Sequence, residues 1–179
     1  LLDYNPYNYT MYLPYFNEGD LFTYVENNGN KLNQSKILSL FSKLIPSVKY
    51  CHSENIVHKD IKLENFVMHR EMIILIDFEM SDKIENENEL HKSAIPFGTP
   101  EYRSPEGRNW YFTKATDIWC LGVILYILRY LEYPNLETPK LKYNDNLDKL
   151  ITDLMKKNWE ERLTINELEK NLAKTIKTG

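Results

Sequence analysis

Positions 118–128 read Ile-Trp-Cys-Leu-Gly-Val-Ile-Leu-Tyr-Ile-Leu, eleven residues without a charge. A bilayer span needs roughly 20 apolar residues, so this run is too short to cross a membrane. Across 116–131 the apolar residues occupy every face of a helix rather than one stripe. Such a helix is stable only when other elements surround it on all sides. The chain is therefore expected to build one body around it, and its 179 residues suffice for one domain but not two ordinary ones. The hydrophobic fraction of 42% and the charged fraction of 27% exclude a disordered chain and a collagen. Lys+Arg total 22 against 26 for Asp+Glu, a net charge of −4, so non-specific nucleic-acid binding has no global electrostatic support.

The remaining segments supply the surrounding layer. Positions 9–16 are rich in Tyr, Met, Leu and Phe and read as a strand ending near Pro14. Residues 20–26 read as a short helix closed by Asn27, Asn28, Gly29 and Asn30. Apolar residues at 37, 40, 41, 44, 48 and 51 predict one helix over 35–52, kinked at Pro46, where the ring removes an amide. Residues 66–76 read as a β-hairpin turning near 69–71. Segment 81–93 is polar, acidic and without period, so it is expected to be a loop, with 85–89 solvated. Amphipathic helices are predicted over 147–155 and 165–176. The fold class that results is mainly α (α+β). His52 and His69 are expected at the surface or at helix ends. Cys51 and Cys120 lie in apolar helical stretches without CxxC spacing, which predicts buried free thiols in a reducing compartment, cytoplasmic or nuclear. Positions 1–4 carry no leader pattern and already read as a strand, so the chain is expected to begin inside a fold.

Segment 57–67 carries the chemistry. It follows the 35–52 helix and leads into the hairpin, whose second strand ends in Asp77, Phe78 and Glu79. Asp60, Lys62 and Asn65 are thereby brought to the same end of a two-stranded ribbon as Asp77. Phosphoryl transfer needs such a set: a carboxylate to orient the acceptor hydroxyl, a cation against the γ-phosphate, and oxygen ligands for Mg²⁺. Taken singly, each of these residues is an ordinary solvated polar side chain.

In order, the chain holds HKDIKLEN at 58–65, DFE at 77–79, GTPEYRSPE at 98–106, DIWCLG at 117–122 and ERLTINEL at 161–168. Five motifs in this order resemble the eukaryotic protein kinases, and the likeness covers the chain from the hinge onward. It implies a kinase C-lobe over 17–179, with 1–16 as remnant N-lobe strands and hinge. It also implies ATP and Mg²⁺ as cofactors and a protein substrate with a Ser or Thr acceptor.

By the same resemblance, Asp60 accepts the substrate hydroxyl proton and Lys62 contacts the γ-phosphate, as in the serine/threonine class. Asn65 and Asp77 are implied to ligate Mg²⁺. His58 and Phe78 resemble members of the hydrophobic column that aligns the lobes. Glu106 is implied to pair with Arg162, and Asp117 to anchor the 58–65 backbone. Leu13 resembles the gatekeeper, the Pro14 carbonyl and Phe16 amide the adenine contacts, Val67 the floor beneath adenine, and Asp20 the ribose contact. Glu64 and Asp20 also resemble positions that read basic residues upstream of the acceptor, and Thr99 is expected to bond Asp60 or Lys62.

The chain departs from the family in places. It has no G-x-G among its glycines at 19, 29, 98, 107, 122 and 179. No segment before the hinge can hold the strand lysine or its partner glutamate. A missing N-lobe, or a partner that supplies one, is therefore implied, and the chain alone is expected to transfer phosphate poorly. Lys59 stands where the family has arginine, Glu79 where it has glycine, and Ile95 at the usual phospho-acceptor position, with Ser93 the nearest hydroxyl upstream. These departures point to a segment not switched on by phosphorylation. The alternative to an active kinase fragment is a pseudokinase-type module that binds partners without transferring phosphate.

Overall fold

A computed structural model describes residues 3–5, 7, 10–12 and 14–178. In chain order its elements are β1 (Asp3–Asn5), β2 (Thr10–Tyr12), α1 (Leu21–Asn28), α2 (Gln34–Ser42), α3 (Ile45–Ser53), β3 (Ile56–Val57), β4 (Phe66–His69) and β5 (Met72–Leu75). They continue with β6 (Asp82–Lys83), β7 (His91–Lys92), β8 (Tyr111–Phe112), α4 (Lys114–Tyr130), α5 (Asn146–Leu154) and α6 (Ile165–Thr178).

The apolar run forms the middle of α4, and Trp119, Leu121, Val123, Ile124 and Leu125 have no exposed surface. A capping box starts the helix: Thr113 and Thr116 exchange side-chain to backbone hydrogen bonds. Val48, Ile151 and Leu168, from the flanking helices, and Leu44, between α2 and α3, are equally sealed in the same core. The α4–α5 crossing is close because Gly122 has no side chain. A Cβ there would lie 2.7 Å from Met155 Cγ and 2.9 Å from Leu154 Cβ.

The helix expected over 35–52 is two helices. The chain breaks after Ser42, and Pro46 lies in the first turn of α3. There the missing amide has no intrahelical acceptor to lose, so the proline starts a helix instead of kinking one. Both helices bury their apolar stripes, so the periodicity was real while the continuity was not. His52 lies at a helix end, as expected, in the last turn of α3. It is buried, at 4% exposure, because it extends the inward row from Val48 by one turn.

The hairpin has the register Phe66↔Leu75 to His69↔Met72. Arg70 and Glu71 both adopt positive φ, 47° and 69°, the pattern of a two-residue hairpin turn whose twist matches the strands. Segment 81–93 is not a plain loop. β6 pairs with β3 and β7 with β8, both antiparallel. Two-residue ladders leave no periodicity to read. Residues 85–89 are exposed, as expected, and Glu87 among them accepts a hydrogen bond from the Lys114 ammonium at 2.5 Å. Cys51 and Cys120 are buried free thiols. Burial, aided by the Asp117 charge, pushes the Cys51 thiol up to about 11.

Gly122→Ala should destabilise the fold by about 1–3 kcal/mol despite alanine's better helix propensity, because the α4–α5 contact must open. Denaturant unfolding checks this; an unchanged or raised midpoint would show that Met155 and Leu154 yield freely.

Candidate active site

The loop between β3 and β4 takes its shape from one buried carboxylate. Asp117, in the first turn of α4, has no exposed surface. It accepts hydrogen bonds from His58 N at 2.9 Å, Lys59 N at 3.0 Å and His52 Nε2 at 2.9 Å. Lys59 is thereby held at a φ of 67°. That left-handed conformation costs a side-chain-bearing residue roughly 1–2 kcal/mol, which the two amide bonds to Asp117 offset. The turn at 59 sends the neighbouring side chains in different directions, Lys59 toward the interior and Asp60 toward the cleft.

Both Asp60 oxygens are engaged. Oδ1 accepts from Thr99 N at 2.9 Å and Thr99 Oγ1 at 2.8 Å. Oδ2 lies 2.9 Å from Lys62 Nζ, which also donates to Thr99 Oγ1 at 3.0 Å. Burial pushes the Asp60 carboxyl up, but the bonds from Lys62 and Thr99 outweigh it and hold it below the ordinary carboxylate range. Burial likewise lowers the Lys62 ammonium, and Asp60, with help from Glu64 and Asp77, raises it beyond that loss. Both groups are thus charged at neutral pH. Thr99 reaches Asp60 because Gly98 precedes it: at φ 71°, a Cβ on Gly98 would stand 2.8 Å from the Lys59 carbonyl oxygen.

Asn65 is buried and donates from Nδ2 to the Asp60 carbonyl at 2.8 Å and to Oδ2 at 3.3 Å. Its backbone carbonyl accepts Ile76 N at 2.9 Å, and the Ile76 carbonyl lies 3.0 Å from His58 Nε2. Asp77 follows directly, at φ 64°, with an exposed side chain. It makes no ion pair among the described residues, and its charge is felt at Lys62. Phe78 stands edge-on to His58 at 4.8 Å and is 43% exposed. No group of three His, Cys, Asp or Glu side chains that could hold a metal occurs among the described residues. The available donors are the Asn65 side-chain amide oxygen, Oδ1, and the Asp77 carboxylate. This hard, sparse set fits Mg²⁺, which keeps waters and phosphate oxygens in its shell, and fits a site built for transition metals poorly.

The nucleotide-side residues are less gathered. Leu13 lies outside the described residues. Pro14 is exposed, and Phe16 contacts the His69 ring edge-on at 5.8 Å. Gly19 O accepts Met68 N at 2.9 Å and Asp20 bridges to Val67, so this stretch runs along β4 and Val67 is buried. Asp20 caps α1: its oxygens bond Thr23 N at 2.8 Å and Thr23 Oγ1 at 3.1 Å. Glu64 Oε2 is buried without a hydrogen-bond partner, as is the Tyr102 hydroxyl.

Glu106 and Arg162 form a buried two-point pair at 2.6 and 2.8 Å. Arg162 also donates to the Ala115, Lys156 and Lys157 carbonyls. Residues that the sequence did not single out also belong here. His52 completes the Asp117 cluster, and its four-residue step from Val48 was the available signal. Asp82 bonds Lys59 Nζ at 2.6 Å, and nothing in the sequence around it signals that contact.

The α-rich body thus carries Asp60, Lys62 and Asn65 together on one loop, with Asp77 close enough for its charge to act on Lys62. The sequence matches the protein kinase domain over residues 3–175, and the chain belongs to the eukaryotic protein kinase family, serine/threonine type. It is 30% identical over 199 residues to the probable serine/threonine-protein kinase nek1 of Dictyostelium discoideum, covering 90% of this chain and 41% of that protein. It is 33% identical over 179 residues to the CBL-interacting serine/threonine-protein kinase 8 of Arabidopsis thaliana, covering 89% of this chain and 39% of that one. It is 31% identical over 170 residues to the probable serine/threonine-protein kinase HSL1 of Saccharomyces cerevisiae, covering 92% and 10%. The chain thus spans about two fifths of the first two relatives.

Burial raises the Glu106 carboxyl, but Arg162 more than reverses this and holds it below the ordinary 4.5. A depressed carboxylate stabilises the fold above its unfolded value and loses that contribution as pH falls through the folded one. Stability should therefore drop as pH falls below about 4.5. In Glu106→Gln that acid-dependent share should be absent, seen as a smaller difference in denaturation midpoint between about pH 6 and about pH 3.5. An identical acid dependence in both proteins would place the effect elsewhere.

Proposed function

We propose that this chain is the C-lobe of a working protein serine/threonine kinase, with residues 1–16 as hinge and remnant N-lobe strands, and that it moves the γ-phosphate of Mg-ATP to a Ser or Thr hydroxyl of a protein. The observation that carries the reading is the cluster in which Asp60, Lys62 and Thr99 contact one another, with Asn65 bonded to Asp60 and Asp77 within electrostatic reach of Lys62. A scaffold has no physical need for this concentration of desolvated charge.

In this reading Asp60 orients the acceptor hydroxyl. Its depressed acidity keeps it an acceptor throughout the neutral range, and the loose transition state of phosphoryl transfer asks for positioning more than for a strong base. Lys62, bonded to both Asp60 and Thr99, holds a cation where negative charge shifts between oxygens. Asn65 and Asp77 would hold Mg²⁺, which when bound neutralises the phosphates. Val67 supplies an apolar surface for adenine, and the Pro14 carbonyl and Phe16 amide its polar contacts. Asp20 would have to share its oxygens with Thr23 to reach a ribose. A glycine-rich cover and strand lysine, absent from these 179 residues, would come from a second lobe. Two buried free thiols go with an intracellular setting, cytoplasmic or nuclear.

Asp60→Asn in the full-length protein should lower phosphate transfer to a Ser/Thr peptide pool by roughly 10²–10⁴-fold while Mg-ATP binding, followed calorimetrically, persists. Native full-length protein that binds partners yet transfers no phosphate would establish the pseudokinase reading.

Substrate preference falls on Glu64, because Asp20 is committed to its cap. The unpartnered Glu64 Oε2 favours an Arg or Lys upstream of the acceptor. A peptide array should show that bias weakened in Glu64→Gln; an array without basic bias in the native protein removes this assignment.

A further inference from the structure

The Lys59 side chain does not face the cleft. It is 5% exposed, its ammonium 4.6 Å from the centre of the Phe112 ring and 5.2 Å from that of Phe97. A cation so enclosed costs several kcal/mol unless an anion meets it. Among the described residues the anion is Asp82, at 2.6 Å. Asp82 is also the backbone partner of Val57, two residues before Lys59. The ammonium therefore touches both ends of the segment between the metal aspartate and Thr99: Asp82 where it starts and Phe97 where it ends. Val57, Ile84, Phe97 and Phe112 form a small core of their own around this point.

We propose that Asp82 is a positioning residue: its carboxylate, clamped on Lys59, holds segment 79–98 in its ordered form without any added phosphate. The consequence reaches Asp60 through a short route. Fixing Phe97 seats Gly98 against the Lys59 carbonyl, and Thr99 then donates twice to Asp60. The chain's own carboxylate satisfies the cation that an added phosphate would otherwise have to meet. Ser93 is poorly placed to receive one, being 6% exposed with its amide bonded to the Trp110 carbonyl. This inference takes its link to turnover from the kinase reading; the ordering itself stands apart from it.

Hydrogen exchange in the full-length protein decides it. Asp82→Asn should speed exchange of the 80–98 amides by about tenfold or more while α4 stays protected. Lys59→Met should do the same, and the double variant should be no faster than the faster single one. In Asp82→Gly, added formate should restore part of the protection, which a merely structural loss would not allow. Where turnover is measured, kcat should fall with the KM for ATP unchanged. Native exchange in Asp82→Asn, multiplied effects in the double variant, no response to formate, or loosening of 80–98 on phosphatase treatment would each overturn the clamp. If the native protein transfers no phosphate, the kinase reading falls while the exchange data still judge the clamp.

Discussion

The arrangement depends on Asp117. A carboxylate without exposed surface is tolerable only if donors saturate it, and here a histidine and two backbone amides do so. It sits at the amino end of α4, where the helix dipole favours negative charge. The most buried helix is thereby tied to the most strained residue of the reactive loop. The core thus adds its hold to the loop's own contacts, such as Asn65 to the Asp60 carbonyl.

From that tie follows a division of labour between two lysines only three positions apart. Lys59 turns inward and meets Asp82 and two rings; Lys62 turns outward and meets Asp60 and Thr99. A regular helix through 59–62 would not separate them this way, since residues three apart share one helix face. The left-handed turn does. Gly98 serves the same end from the facing segment, giving Thr99 its approach.

The sequence carried the central helix, the hairpin and the amphipathic α5 and α6, because burial in a helix or strand imposes a period. It carried the Asp60, Lys62, Asn65 and Asp77 group through motif order. It did not carry the break between α2 and α3, because a proline reads alike as a kink or as the first turn of a new helix until its neighbours' hydrogen bonds are known. It did not carry the β3–β6 and β7–β8 ladders, which are too short to show alternation. The helix-end place of His52 was legible but its burial was not, because a histidine's burial depends on its partner, and Asp117 lies 65 positions away. Asp82 escaped for the same reason: its contact with Lys59 is a matter of tertiary closure.

The two thiols give the fold a built-in clock. Cys51 lies on α3 and Cys120 on α4, each sealed and each with its thiolate disfavoured by burial. A thiol reagent in the surrounding solution can reach them only during excursions that part these helices. Labelling of Cys51 without Cys120 would report fraying of the outer layer, and simultaneous labelling would report collapse of the whole body. The protein thus carries its own depth gauge of opening, with no foreign probe introduced.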